Sequence, residues 1–141
     1  QPSYQMSIEI SKVIQKFQID IVYVPHRGDI HKDHKMVFDA TLVAVRPRNN
    51  YTVKKVLAYE TLSETEWGNP VASDMFIPTY FEDVDELYFE KKMKALSFFH
   101  SQMASFPASR SLEAVDALSK YRGATISKMR AEAFMVVRII S

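Results

Sequence analysis

The sequence predicts an α/β fold with a mostly parallel sheet, and three observations carry that expectation. Apolar residues recur at helical spacing in some stretches and gather into short β-branched runs in others. The two patterns alternate as helix–strand–helix–strand between Tyr4 and Glu60. The connections are short, and strands joined through helices in this way favour a parallel sheet. At 141 residues, 47% hydrophobic and 25% charged, the chain has the size and composition of one globular domain with its own core. We expect a single domain over residues 1–141.

The first helix is expected from Tyr4 to Phe17, where Ile10, Val13, Ile14 and Phe17 recur at helical spacing with Glu9, Lys12 and Lys16 between them. "IDIVYVP", Ile19 to Pro25, is a β-branched and aromatic run that reads as a buried strand closed by proline. "DHKMVFDATLVAVRP" reads as a helix opening near Asp33. It stops before Pro47, because the residue ahead of a proline is pushed out of the helical region. "VKKVLAYE", Val53 to Glu60, is the second strand. "TLSETEWGNPVASDMFIPTYFEDVDE" is a polar connection punctuated by Pro and Gly, and its length points to a functional loop. A long helix is expected over Asp83 to Met103, with Phe89, Met93, Leu96, Phe99 and Met103 as its apolar stripe. Another begins near Ser109, with Leu112, Val115, Leu118 and Tyr121 on one face, and "AEAFMVVRII" ends the chain as a strand.

Composition excludes several function classes. A net charge of +1 gives no electrostatic case for nucleic acid. No long apolar span is present to cross a bilayer. The chain has no cysteine, which removes disulfides, thiolate metal sites and thiol nucleophiles and fits a cytoplasmic location. Only Gly28, Gly68 and Gly123 occur, too few for a glycine-rich phosphate loop. The chain begins at Gln1 with neither methionine nor a signal-peptide pattern, so a cut start is expected.

"PHRGDIHKDH", residues 25–34, holds three of the four histidines and two aspartates. It lies just past the carboxyl end of an expected strand and runs into a helix start, the edge at which open α/β sheets bind ligands. The helix N-terminus adds N–H donors and partial positive charge suited to a developing oxyanion. His31 and His34, three apart, project to one side if the turn is helical. Two readings fit. In one, the imidazoles ligate a metal or act in catalysis, and Asp33 orients one of the rings. In the other they are solvated and Asp33 is a helix N-cap. His26 and Asp29 read as loop structure. A metal held by His26, His31 and His34 alone is a further alternative, and needs the loop to fold His26 back onto the others.

Elsewhere, Trp67 beside Gly68 and Pro70 can stack on a sugar ring or serve as a half-buried anchor. Tyr59 and Glu60 end a strand on the same edge, and Glu60 can meet sugar hydroxyls or form a cap or salt bridge. His100 reads as a core histidine among Phe99 and Met103, Arg122 and Glu132 as a structural pair, and Lys91, Lys92 and Lys94 as a solvated face.

"PHRGDIHKDHK" after the "IDIVYVP" strand resembles the second signature of the LmbE / PIG-L family, zinc-dependent N-deacetylases of N-acetylglucosamine-type substrates. "VLAYETLSETEW" resembles the strand and substrate-side loop that follow, and "ALSFFHSQM", "YRG" and "AEAF" resemble the late elements. The resemblance implies a Rossmann-like three-layer fold. It implies that His34 is a zinc ligand and that His31 stabilises the oxyanion or protonates the leaving amine, while Asp33 hydrogen-bonds to His31 and sets its basicity. The family's first signature, Ala-His-Pro-Asp-Asp-Glu, is absent, and the acidic "FEDVDE" (Phe81 to Glu86) has no histidine to replace it. The zinc ligand set expected here is therefore incomplete. The expectation is an N-terminally truncated, C-terminal part of such an enzyme, inactive alone, that self-associates or pairs with the missing N-terminal half. A non-catalytic, sugar-binding or structural remnant is the alternative.

Overall fold

The structure, a computed structural model, describes residues 2–47 and 51–141. Helix α1 (Pro2–Phe17) leads to strand β1 (Ile21–Pro25), helix α2 (Lys32–Ala44) and strand β2 (Lys55–Tyr59). Strand β3 (Tyr80–Asp83), helices α3 (Glu86–Ser97) and α4 (Leu112–Thr125), and strand β4 (Ala131–Ile139) follow. Hydrogen bonding orders the strands β1-β2-β4-β3. Two compact units result, Gln1–Pro78 with Phe134–Ser141, and Thr79–Ala133.

The α/β expectation stands, but the sheet is mixed rather than mostly parallel. Strand β1 runs parallel to β2, pairing Ile21 with Lys55 through Pro25 with Tyr59, as a helical crossover requires. Strand β4 runs antiparallel to β2. A β-branched run such as "MVVRII" specifies a strand without specifying its direction.

In the first unit the core is built where α1 and α2 pack together against this sheet. Ile14 of α1, Phe38 of α2, Val24 of β1, and Val56 and Ala58 of β2 form one buried cluster with Val45 and Val53. Leu57, on the alternate face of β2, is also fully buried, so β2 is covered on both sides. Helix α1 stops where Gln18 takes a left-handed φ of 53°. Of the expected α1 stripe, Ile14 is buried while Val13 and Phe17 are exposed.

In the second unit, Asp85 caps α3 by accepting from the Leu87 N–H at 2.8 Å, and buried Ser111 caps α4 by accepting from Ala114 at 3.2 Å. Arg130 ties these helices together. Its Nε donates to Glu86 Oε2 at 2.8 Å, and its Nη1 donates to Ser119 Oγ at 2.8 Å and meets Asp116 Oδ1 at 2.7 Å. Its guanidinium carbon lies 3.8 Å from the Phe89 ring centroid. The Lys120 hydrogen bond, then the Arg130 one, holds the Asp116 carboxyl below its ordinary pKa.

Several expectations for this unit are corrected. The third helix ends at Ser97, short of Met103, so Phe99 lies outside it and His100 is exposed rather than a core histidine. Glu132 pairs with Lys92 at 2.5 Å, a partner 40 residues away that no local pattern suggests, and the Arg122 guanidinium lies over Tyr121. The buried side of α4 is Ser119 and Gly123, which face Arg130, while Leu112, Val115 and Leu118 are half-buried. Among the described residues, no helix is long and apolar enough to cross a membrane.

Candidate functional site

The site grows from the end of β1, all of it within the first unit. Parallel pairing continues one residue past Pro25, since the His26 N–H donates to the Tyr59 carbonyl at 3.1 Å. The chain then turns, with the Asp29 N–H donating to the His26 carbonyl at 3.2 Å, and enters α2 at Lys32. His31, not Asp33, is the N-cap: its Nδ1 accepts from the Asp33 N–H at 3.3 Å. The imidazole occupies the orphan donor that a serine or aspartate usually takes. His34 follows one turn on, and the two rings stand 5.7 Å apart with a 42° tilt. The structure thus brings His31 and His34 together.

Asp29 lies at the centre of the arrangement. Its side chain is fully enclosed, with Oδ2 2.6 Å from His34 Nδ1 and Oδ1 accepting from the Thr65 hydroxyl at 2.7 Å. The Thr65 oxygen accepts in turn from the Thr61 N–H at 2.8 Å. An ionised carboxylate only accepts, so His34 donates through Nδ1–H, and in the neutral ring Nε2 is the nitrogen that keeps its lone pair. The Tyr59 hydroxyl is raised in pKa first by burial and second by the charge of the same carboxylate.

The polar connection after β2 braces this loop. It is not structureless, since Thr65–Trp67 and Ala72–Asp74 form short 3₁₀ turns and Tyr80–Asp83 a strand. The Ile30 N–H donates to the Glu64 carbonyl at 3.2 Å. His26 is buried, its Nε2 2.7 Å from the Asp74 carbonyl and its ring edge-on to Phe76. A carbonyl accepts only, so that nitrogen is protonated and His26 serves the loop, as the loop-structure reading has it. A β-carbon on Gly28 would meet the Asp74 carbonyl oxygen, and one on Gly68 would meet the Gly28 carbonyl oxygen. Both positions require glycine so that the two backbones can touch.

The other expected residues are spread around this centre. Asp33 is exposed, and its Oδ2 lies 3.7 Å from His31 Nδ1, beyond hydrogen-bonding distance. Tyr59 ends β2 beside the loop, with Glu60 half-buried after it. Trp67, 66% exposed, closes the turn that Thr65 opens. Sequence reasoning missed Asp29 as the partner of His34 and Thr65 as the partner of Asp29. Asp29 sat in plain view, but Thr65 lies 36 residues away and no local spacing rule reaches it.

For a metal, the donor chemistry fits in part. A carboxylate-oriented imidazole with a free Nε2 is the form in which histidine ligates, and His34 has it. Among the described residues, no group of three His, Cys, Asp or Glu side chains could hold a metal. His26, committed through Nε2 to Asp74, does not complete a set with His31 and His34.

Comparison with known proteins gives a consistent picture. No protein-family model matches the chain. It is 40% identical over 75 residues to the uncharacterized deacetylase YaiS of Escherichia coli (strain K12), covering 53% of this chain and 34% of that one. The fold matches the conserved protein TT1542 from Thermus thermophilus, with a TM-score of 0.72, 18% identity, and coverage of 97% of this chain and 60% of that one. It also matches the zinc-inhibited form of teicoplanin deacetylase Orf2, with a TM-score of 0.69, 22% identity and coverage of 96% and 52%. The A40926 pseudoaglycone deacetylase Dbv21 gives a TM-score of 0.70, 18% identity and coverage of 99% and 60%. The chain therefore spans about a third of the curated relative it matches and 52–60% of these solved chains.

Proposed function

We propose that this chain, LmbE / PIG-L-like in sequence and fold, supplies part of the active site of a metal-dependent N-deacetylase acting on an N-acetylglucosamine-type sugar or conjugate. The observation that carries the reading is the His31–His34 pair at the entry to α2, with rings 5.7 Å apart. Each ring is engaged through Nδ1, one by a donor and the other by an acceptor, so the two Nε2 atoms differ in protonation. His34 donates through Nδ1 and offers Nε2 to zinc. When bound, zinc would polarise the amide carbonyl and acidify a water molecule. The reading also needs further metal ligands and a general base, which the His31–His34 turn does not supply, and a Rossmann-like three-layer arrangement of the whole protein goes with it.

His31 is the mirror case. Its Nδ1 accepts from the Asp33 N–H, so in the neutral ring Nε2 carries the proton. In the neutral ring that N–H can donate a hydrogen bond to the oxyanion of a tetrahedral intermediate, whereas protonating the leaving amine requires the imidazolium, in which Nδ1 is protonated too and gives up the Asp33 N–H. The partial positive charge at the start of α2 favours the same oxyanion. Asp33, with Oδ2 3.7 Å from His31 Nδ1, is placed to pair with that ring in its cationic form. Tyr59, Glu60 and exposed Trp67 on the adjoining strand end and turn offer surfaces to a sugar ring.

A second reading is favoured by one observation, the lack of any three-ligand group among the described residues. On that reading the chain is a sugar-binding or structural remnant. An assay of the protein against a panel of N-acetylglucosamine conjugates, before and after chelation, separates the two. The enzyme reading expects acetate release that chelation abolishes and zinc restores. Sugar binding without turnover at any metal load would favour the remnant.

A further inference from the structure

We infer that Asp29, held by Thr65, is the positioning residue that fixes the tautomer of His34 and so presents its Nε2 to a divalent cation. This rests on the metal-site reading above and deepens it. The His34 ring is exposed in part, whereas the Asp29 side chain is fully enclosed, so the carboxylate is the fixed member of the pair. Enclosure alone would penalise an ionised carboxylate, and two directed hydrogen bonds offset that cost. One comes from the Thr65 hydroxyl at 2.7 Å, the other from His34 Nδ1 at 2.6 Å. The direction of each bond is set along the chain. The Thr61 N–H donates to Thr65 Oγ1, which leaves the Thr65 proton free to donate to Asp29 Oδ1. Asp29 Oδ2 then accepts from His34 Nδ1–H. The carboxylate, an acceptor on both oxygens, thereby selects which nitrogen of the neutral imidazole keeps its lone pair.

The same geometry explains why the loop is braced so firmly. The Ile30 N–H bond to the Glu64 carbonyl, together with the glycine contact between Gly28 and Gly68, fixes the segment carrying Asp29 against the segment carrying Thr65. Register between the two is what keeps the carboxylate aimed. Outer partners of this kind typically change metal affinity by about 10–100-fold when removed.

The test uses the whole protein and Asp29→Asn. The Thr65 proton holds the new amide oxygen at the Oδ1 position, which turns the amide nitrogen toward His34 Nδ1 as a donor. The ring is then driven to the Nε2–H tautomer. Long-range ¹H–¹⁵N correlation spectra of the metal-free protein are expected to show His34 as Nδ1–H in the unmodified form and shifted in Asp29→Asn. Zinc affinity, measured by competition with a chelator, is expected to fall about 10–100-fold. Thr65→Val should lower it several-fold and Thr65→Ser should restore it, which a purely structural role for Thr65 does not predict. An unchanged tautomer in Asp29→Asn would overturn the assignment of Asp29, whatever the metal does. A shifted tautomer with zinc affinity unaltered, or no zinc binding by the unmodified protein, would overturn the metal half of the proposal.

Discussion

The histidine-rich stretch shows how far single residues can be read from sequence. The nearness of His31 and His34 followed from their spacing at a helix start, because three residues is nearly one turn. The tautomer of each ring did not follow, since it depends on which backbone or side-chain group each Nδ1 meets, the Asp33 N–H for one and the Asp29 carboxylate for the other. Glycine placement was equally opaque: Gly28 and Gly68 are 40 positions apart in the sequence, yet a side chain on the second would strike the carbonyl of the first. We therefore expect Gly68→Ala to cost about 1–3 kcal/mol, the usual range for overpacking a fixed contact. Chemical denaturation measures it. The same variant should loosen the loop carrying Asp29, visible as faster amide exchange at Ile30.

Among the elements, helices were legible in kind and less so in length. Helix α2 opens at Lys32, within a residue of its sequence expectation, because the apolar period and the coming proline both bound it. Helix α3 ends six residues early, at Ser97, although an apolar stripe continues to Met103. Phe98, Phe99 and Phe106 are exposed there, so the period reported hydrophobic spacing without burial. Arg130 escaped notice because it lies just before β4 while its partners come from helices α3 and α4. With its side chain 10% exposed, and Glu86 and Asp116 at 60% and 32%, Arg130→Ala should cost about 2–4 kcal/mol, the lower end reflecting solvent screening of the carboxylates. The Asp116 carboxyl is lowered in pKa in the folded chain by Lys120 and Arg130. Its contribution is thus complete above the unfolded-state value and is lost as pH falls through the folded one. Stability measured from pH 6 down to pH 2 should show less acid-dependent loss in Asp116→Asn than in the unmodified protein, beginning below about pH 4.

For the molecule as a whole, the α/β class was legible because helix and strand patterns alternate, and the parallel β1–β2 pair followed from the α2 crossover between them. The antiparallel entry of β4 and the short strand β3 were not, since strand direction and pairing are decided by contacts distant in sequence. With β1 at one end of the strand order, and Ile21 and Tyr23 exposed on it, we expect the 141-residue chain by itself to self-associate in a sizing experiment. It should also bind zinc weakly in an equilibrium titration, because a catalytic zinc centre ordinarily takes three protein ligands. A monomer that binds zinc tightly would contradict both expectations. The most direct test of the central claim is to replace His34 and His31 separately with Ala in the whole protein, and to measure zinc content beside acetate release. His34→Ala should lose both metal and activity. His31→Ala should keep its zinc while turnover falls about 10²–10³-fold, as when a transition-state donor is removed. Equal metal loss in the two variants, or full activity without His34, would contradict the account.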